Sequence, residues 1–180
     1  SNPYYYTRHD PCYEYQVNDG CIKLYFPFRN KHTANRFITN NKCPLENLET
    51  LIDTNYKLIV KSQKDKLLML RILRELRIND VGVYVIASET AKLPDDIVDV
   101  LRKTTRIQVY IMLDTDNTGL TSAIEYEKNY GFIALFMTKG YSAKDPTDLV
   151  RITDYNFVKK KFANMYLNEI VNGKKGGVVP

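Results

Sequence analysis

The chain has 180 residues, of which 44% are apolar and 26% are charged. These values are typical of a globular protein, and they exclude a disordered or collagen-like chain. No apolar run approaches the roughly 20 residues that a membrane-spanning helix needs, and no secretory signal is recognisable. We therefore expect a protein of the cytoplasm without a membrane partner.

The charge is mildly basic, with 26 Lys and Arg against 21 Asp and Glu, a formal net charge of +5. Most of the excess falls in residues 151–180, which carry six basic and two acidic groups. Such a bias permits a nucleic-acid partner but does not establish one.

The three cysteines are Cys12, Cys21 and Cys43, an odd number without a C-x-x-C pair. This pattern argues against a zinc ribbon and against a disulfide scaffold, and it predicts three ordinary, semi-buried thiols. Free thiols fit a reducing compartment.

The first fifty residues are predicted to form a small antiparallel β unit. Residues 12–17 and 21–26 alternate between apolar and polar side chains, and Asp19-Gly20 lies between them. Asp-Gly between two alternating runs is a strong hairpin signal, because the turn needs positive φ. A third short strand is predicted over 36–39, followed by a loop over 40–44.

From residue 51 the pattern changes to strands that alternate with helices. This alternation predicts an α/β fold in which a mostly parallel four-stranded sheet is flanked by helices. Domain boundaries are predicted at 1–50, 51–153 and 154–180, the last being a closing helix and a basic, linker-like tail. The predicted strands are 56–60, 81–87, 107–113 and 132–137, and the predicted helices are 64–77, 95–103, 118–130 and 154–171.

Carboxylates follow every predicted strand of this sheet. Ligands of open parallel sheets bind beyond the carboxyl ends of the strands, so these side chains are expected to converge. The acidic residues in question are Asp65, Glu89, Asp114, Asp116 and Asp145.

The Asp114-x-Asp116 pair directly follows an apolar strand. Alternate residues of an extended segment point the same way, so both carboxylates can reach one hard cation such as Mg²⁺. Gly119 allows a tight turn into the next helix. The alternative is that these aspartates form a turn and cap the helix. The acids at neighbouring strand ends favour a metal site.

Three segments, 58–65, 112–119 and 144–150, resemble the Toprim domain of bacterial-type, phage-like DNA primases. The resemblance covers about residues 56–152, and the hairpin before residue 40 is similar to the piece that precedes Toprim in those enzymes. It implies a Toprim-type, Rossmann-like fold and primer synthesis by nucleotidyl transfer in DNA replication. It also implies Mg²⁺ or Mn²⁺ as cofactor, and as partners single-stranded DNA, ribonucleoside triphosphates and a replicative helicase.

The resemblance assigns metal binding to Asp114, Asp116 and Asp145, and catalysis to Asp114, Asp116 and Asp65. One feature departs from the family: Lys61-Ser62 stands where Toprim enzymes have Glu-Gly. A lysine repels a cation.

We hypothesise that Glu89 supplies the missing catalytic and metal-binding carboxylate, while Lys61 or Lys64 contacts a phosphate. The alternative is that Glu89 is a surface carboxylate near a helix start.

Basic residues interleaved with aromatic ones suit a single nucleic-acid strand, whose bases stack and whose phosphates pair. The aromatic residues beside them are Tyr25, Phe26 and Phe28, although aromatic residues on strands also commonly pack in a core. The predicted phosphate-binding residues are Lys23, Arg29, Arg36, Lys61, Lys64 and Lys144.

Two other functions compete with primer synthesis. The first is a non-catalytic, Toprim-like module that binds nucleic acid or protein in a replication complex, which Lys61 favours. The second is a Toprim nuclease or topoisomerase, which the absent Glu disfavours. The size of the chain and its lack of a zinc-binding cysteine set predict a fragment of a larger primase.

Overall fold

The computed structural model describes residues 10–18, 20–30, 35–39, 45–46, 51–90 and 92–171. In these residues the chain forms two β-sheets, one of three antiparallel strands and one of five mostly parallel strands. Helices flank the larger sheet, so the predicted α/β class is confirmed.

The small sheet consists of β1 (Tyr13–Asn18), β2 (Cys21–Tyr25) and β3 (Phe37–Thr39), in that spatial order. Gly20 has a φ of 71°, in the left-handed region that glycine adopts at little cost. The predicted hairpin and third strand are therefore confirmed.

The large sheet has the spatial order β4-β6-β5-β7-β8. Four of these strands are parallel, and β4 runs antiparallel to its neighbour β6 at the edge. The strands are β4 (Leu45–Glu46), β5 (Thr54–Val60), β6 (Val81–Ile86), β7 (Thr105–Met112) and β8 (Ile133–Ala134).

Five α-helices and one π-helical stretch lie among the described residues. They are α1 (Gln63–Glu75), α2 (Asp95–Lys103), α3 (Asn117–Tyr130), α4 (Pro146–Ile152), α5 (Tyr155–Met165) and the π-helical Tyr166–Val171.

The core is divided into two layers by the large sheet. Alternate residues of β5 face opposite sides, so Leu58 and Val60 join the layer under α1 and α5, whereas Ile59 joins the layer under α2 and α3. A strand covered on both faces is apolar throughout, which explains the continuous run at the end of β5.

The structure differs from the prediction in three places. Strand β8 covers only residues 133–134, because the chain then leaves the sheet edge and returns across the end of β7, where the Thr115 N–H donates to the Lys144 carbonyl at 2.8 Å. Strand β4 and helix α4 were not predicted. The closing helix is α-helical only to Met165 and continues as a π-helix.

The cysteine prediction is wrong in two respects. Cys21 is disulfide-bonded, and Cys12 is an exposed free thiol rather than a semi-buried one. The inference of a reducing compartment from free thiols therefore loses its basis. Across the described residues, the helices are all too short or too polar to cross a bilayer.

Candidate functional site at the carboxyl edge of the sheet

The strand order brings three predicted site residues together. Strand β5 lies between β6 and β7, so Lys61, which follows β5, lies between Glu89 after β6 and Asp114 after β7. The Lys61 ammonium donates to Asp114 Oδ2, and its Nζ is 3.1 Å from Glu89 Oε2. Two of the five predicted carboxylates, Glu89 and Asp114, are therefore brought together here, with a lysine between them.

The buried partner in this group is Asp114, whose side chain is 2% exposed. Its Oδ2 also lies 3.7 Å from Lys144 Nζ, whereas its Oδ1 has no hydrogen-bond partner among the described residues. Desolvation lowers the pKa of Lys61, but the bonds and charges of Asp114 and Glu89 outweigh it and raise that pKa above its ordinary value. Lys61 therefore stays charged at neutral pH.

The turn after β7 is shaped by Asp116 and Gly119. Asp116 is exposed, and its Oδ1 accepts the Gly119 N–H at 3.0 Å as the N-cap of α3. A Cβ at Gly119 would lie 2.1 Å from the Asp114 carbonyl oxygen, so no side chain fits there. Helix α3 therefore begins directly against the end of β7, and the capping alternative for Asp116 is realised.

A second charged group lies at the start of α4. Asp145 is buried and caps this helix, since its Oδ1 accepts the Asp148 N–H at 2.7 Å. Lys64 Nζ lies 2.6 Å from Asp145 Oδ2 and 4.0 Å from Asp148 Oδ1. Desolvation opposes the charge on Lys64, but Asp145 and its acidic neighbours leave the pKa of Lys64 raised.

Asp65 is buried between α1 and α4. Its Oδ1 accepts the Thr147 hydroxyl at 2.7 Å and the Thr147 N–H at 3.3 Å, and its Oδ2 accepts the Ser62 hydroxyl. Desolvation raises the pKa of this carboxyl, although the bonds from Ser62 and Thr147 act in the opposite direction. Oδ1 thus joins the two helices, while Oδ2 is bound by Ser62, the N-cap of α1. The catalytic role for Asp65 stays a prediction.

These residues can hold a divalent cation only if Lys61 moves away from Asp114 and Glu89. Among the described residues, no three His, Cys, Asp or Glu side chains are grouped so that they could hold a metal. The acids hold lysines instead, with Lys61 between Asp114 and Glu89. Two observations favour a cation: the unpartnered Oδ1 of Asp114, and the excess of acids over ammonium groups at this edge. The acids are Asp65, Glu89, Asp114, Asp116, Asp145 and Asp148, and the lysines are Lys61, Lys64 and Lys144. A divalent cation therefore fits between Asp114 and Glu89 only after Lys61 withdraws.

The predicted basic residues of the small sheet are mostly engaged with their own surroundings. Arg29 lies 2.6 Å from Asp10, and its guanidinium is 3.5 Å from the Phe26 ring centroid. Arg36 donates to the Pro27 carbonyl. The arrangement gives both arginines an internal role, and phosphate binding by them stays a prediction.

An aromatic ladder on the small sheet went unnoticed in the sequence. Tyr13, Tyr25 and Phe37 are aligned across β1, β2 and β3, with stacked rings whose centroids are 6.4 and 4.7 Å apart. Tyr13 is 61% and Phe37 55% exposed, and Lys23 Nζ lies 5.3 Å from the Phe37 centroid. The signal was the hairpin register, which places these three positions on one face.

The chain matches no protein-family model and no curated protein sequence. It is similar in structure to a chain from the complex of bacteriophage T7 lagging-strand DNA polymerase with the primase domains of two gp4 subunits bound to an RNA/DNA hybrid and dTTP. The TM-score is 0.54 at 13% identity, and the match covers 85% of this chain and 74% of that one. At this identity the likeness is one of fold alone.

Proposed function

We propose that this chain is a primase-related domain of DNA replication that synthesises primers on single-stranded DNA from ribonucleoside triphosphates. The observation that carries the proposal is the convergence of Asp114, Glu89 and two lysines, Lys61 and Lys144, at the carboxyl edge of a sheet with a primase-like fold. Parallel sheets bind ligands at this edge, and lysines there suit the phosphates of a nucleotide. More specifically, we propose that this edge is the active site of a Toprim domain.

The proposed cofactor is Mg²⁺ or Mn²⁺, held by Asp114 and Glu89 once Lys61 withdraws. When bound, such an ion neutralises phosphate charge and helps to activate a hydroxyl for phosphoryl transfer. The chain's own residues act around it: Lys64 and Lys144 bind phosphates, and Asp145 holds Lys64 in place at 2.6 Å. Asp65 keeps α1 and α4 together beneath this surface.

The template strand is proposed to lie across the aromatic ladder. Exposed, stacked rings offer platforms for bases, and Lys23 beside Phe37 offers a charge for the backbone. The neighbouring replication complex contains an RNA/DNA hybrid, which agrees with a nucleic-acid partner. A replicative helicase is the further partner that we propose.

A second candidate is a binding module that has lost catalysis. The ion pairs of Lys61 with Asp114 and Glu89 favour it, because they neutralise the acids without a metal. Such a module would retain nucleic-acid binding through the small sheet and the lysines of the edge.

The deciding experiment is primer synthesis on single-stranded DNA with labelled ribonucleotides and Mg²⁺ or Mn²⁺. Asp114→Asn removes one charge from the buried carboxylate with little change of shape and is expected to abolish the products. Glu89→Gln tests the second carboxylate in the same way. Asp96→Asn is the matched control, because Asp96 is an exposed acid in the first turn of α2.

Short products that disappear in Asp114→Asn but persist in Asp96→Asn would support primer synthesis. Single-strand binding by all the variants without any products would overturn it in favour of the binding module.

A further inference from the structure

Lys61 lies between Asp114 and Glu89, where the proposed function places a divalent cation. Because β5 lies between β6 and β7, a side chain directly after β5 reaches the acids that follow both neighbours. Lys61 Nζ contacts Asp114 Oδ2 and is 3.1 Å from Glu89 Oε2, so it bridges two carboxylates as a metal would. A divalent ion cannot occupy that point while the ammonium is there.

The neutralisation by Lys61 is incomplete. One positive charge lies between two carboxylates, and Lys144, the second cation near Asp114, is 3.7 Å away and 56% exposed. Asp114 is 2% exposed, and its Oδ1 lacks a hydrogen-bond partner among the residues described. An unpartnered carboxylate oxygen buried to this degree is costly, so a ligand that also satisfied Oδ1 would stabilise the pair more than one ammonium does.

Lys61 has an exit. Its side chain is 31% exposed, and a lysine has four rotatable bonds, so the ammonium can turn towards solvent or a bound phosphate without moving β5. Asp114, by contrast, is fixed by its burial and by the turn that packs Gly119 against its backbone. The cation at this site can therefore be exchanged while its acids remain in place.

We propose that Lys61 is a displaceable internal cation that holds the Asp114–Glu89 pair in the absence of ligand and competes with a divalent metal for it. The inference deepens the proposed function. It rests on that function for the identity of the ligand that draws Lys61 away, which is a nucleoside triphosphate. The competition itself is a property of the three side chains and can be measured without any catalysis.

The test is Mn²⁺ binding without nucleotide, followed by electron paramagnetic resonance or calorimetry, in the wild-type protein and in Lys61→Met. Methionine keeps the length of the side chain and removes its charge. We expect Mn²⁺ affinity to rise at least about tenfold in Lys61→Met, the ordinary size of a coupling between sites. Lys144→Met, which removes the more distant and more exposed ammonium, should have a smaller effect.

Thermal unfolding provides a second readout and a check on folding. Without metal, Lys61→Met should unfold at a lower temperature than wild type, since two acids lose their shared cation. Mn²⁺ should raise the unfolding temperature of Lys61→Met more than that of wild type. In the double variant Lys61→Met, Asp114→Asn, the gain in Mn²⁺ affinity should be lost.

Equal Mn²⁺ affinity in wild type and Lys61→Met would overturn the inference, even if the wild type synthesises primers. Tighter Mn²⁺ binding by Lys61→Met together with no primer synthesis by any variant would overturn the proposed function and leave the inference standing.

Discussion

Thr147 donates two hydrogen bonds to a single oxygen of Asp65, one from its hydroxyl at 2.7 Å and one from its backbone N–H at 3.3 Å. The two residues are 82 positions apart in the chain. The first turn of α4 is thereby joined to the first turn of α1, directly beneath the charged edge.

The first prediction concerns the charge of Asp65. Desolvation raises the pKa of Asp65 above 3.8, so the folded state holds the Asp65 proton more tightly than the unfolded state does. Protonated Asp65 therefore stabilises the fold at acid pH. This contribution is lost as the pH rises through the folded pKa. Asp65→Asn removes this loss and can still accept from Thr147. We expect its stability at pH 7 to equal or exceed that of wild type, by thermal or urea unfolding.

Asp65→Ala is the contrasting variant, because it leaves Thr147 and Ser62 without their buried acceptor. It should cost about 1–3 kcal/mol of unfolding free energy. If Asp65→Asn were as destabilised as Asp65→Ala at pH 7, the negative charge of Asp65 would be needed for stability. Our interpretation, that Asp65 joins the helices by accepting hydrogen bonds whether or not it is charged, would then be wrong.

The second prediction concerns the cap of α4. Asp145→Ala removes the acceptor for the Asp148 N–H and the partner of Lys64. We expect a loss of about 1 kcal/mol for the cap, which lowers the unfolding temperature by about 2–4 °C. Asp145→Asn is the control, since asparagine caps as well as aspartate and loses only the pair with the half-exposed Lys64. A calorimetric scan in which both variants lose the same stability would contradict the capping role.

The third prediction concerns Lys57, a fully buried lysine at the other end of the sheet. Its Nζ donates to the carbonyls of Ile52, at 3.0 Å, and of Thr104. Desolvation lowers the pKa of Lys57 to about 8, and the negative charge of Asp53 opposes it less strongly.

Because the folded pKa of Lys57 is depressed, the unfolded state binds more protons between about pH 8 and 10.5, and stability rises with pH in that window. The rise amounts to at most about 3 kcal/mol. Lys57→Met should lack it. The measurement is urea unfolding of both proteins at pH 7 and pH 9.5. If their unfolding free energies differed by the same amount at both pH values, the lowered pKa of Lys57 would be refuted.

The fourth prediction concerns the aromatic ladder. Phe37→Ala removes an exposed ring that stacks on Tyr25, and stacking on a base is worth about 1–3 kcal/mol. We expect the affinity for a labelled single-stranded oligonucleotide to fall about 5- to 100-fold by fluorescence anisotropy. The salt dependence of binding should not change, because no charge is removed.

Two controls make the ladder experiment specific. Lys23→Ala should lower the affinity and reduce the salt slope by about one, as expected for a phosphate contact. Phe157→Ala removes a partly exposed ring on α5 and should leave binding unchanged. Loss of binding in Phe157→Ala as large as in Phe37→Ala would mean that the ladder is not the strand-binding surface.

The sequence was sufficient for the architecture, because hydrophobic periodicity is strong where elements are long. Helix α2 was predicted with its observed bounds, and the buried strand ending at Val60 stood out as an apolar run. The two-residue strands β4 and β8 carry too little periodicity to be bounded from sequence. Helix α4 could have been predicted, since Asp145-Pro146 combines an N-cap with a proline in the first turn.

The candidate site was predicted less well than the fold. Glu89 and Asp114 were expected to lie near each other, because both follow parallel strands that end at the same edge of the sheet. The approach of Lys61 to both acids needed the strand order, which places β5 in the middle, and no local pattern contains that information. The ladder likewise depended on pairing register, which joins Tyr13 to Tyr25 and Phe37 across the sheet.

The central place of β5 makes one residue decisive for the chemistry of the edge. Whatever follows Val60 is presented to Glu89 and Asp114 together, so replacing Lys61 by glutamate would change the local charge by two units while the scaffold stays the same. Lysine and glutamate codons differ by a single base. A one-nucleotide substitution therefore separates a site that carries its own cation from one that must obtain it from solution.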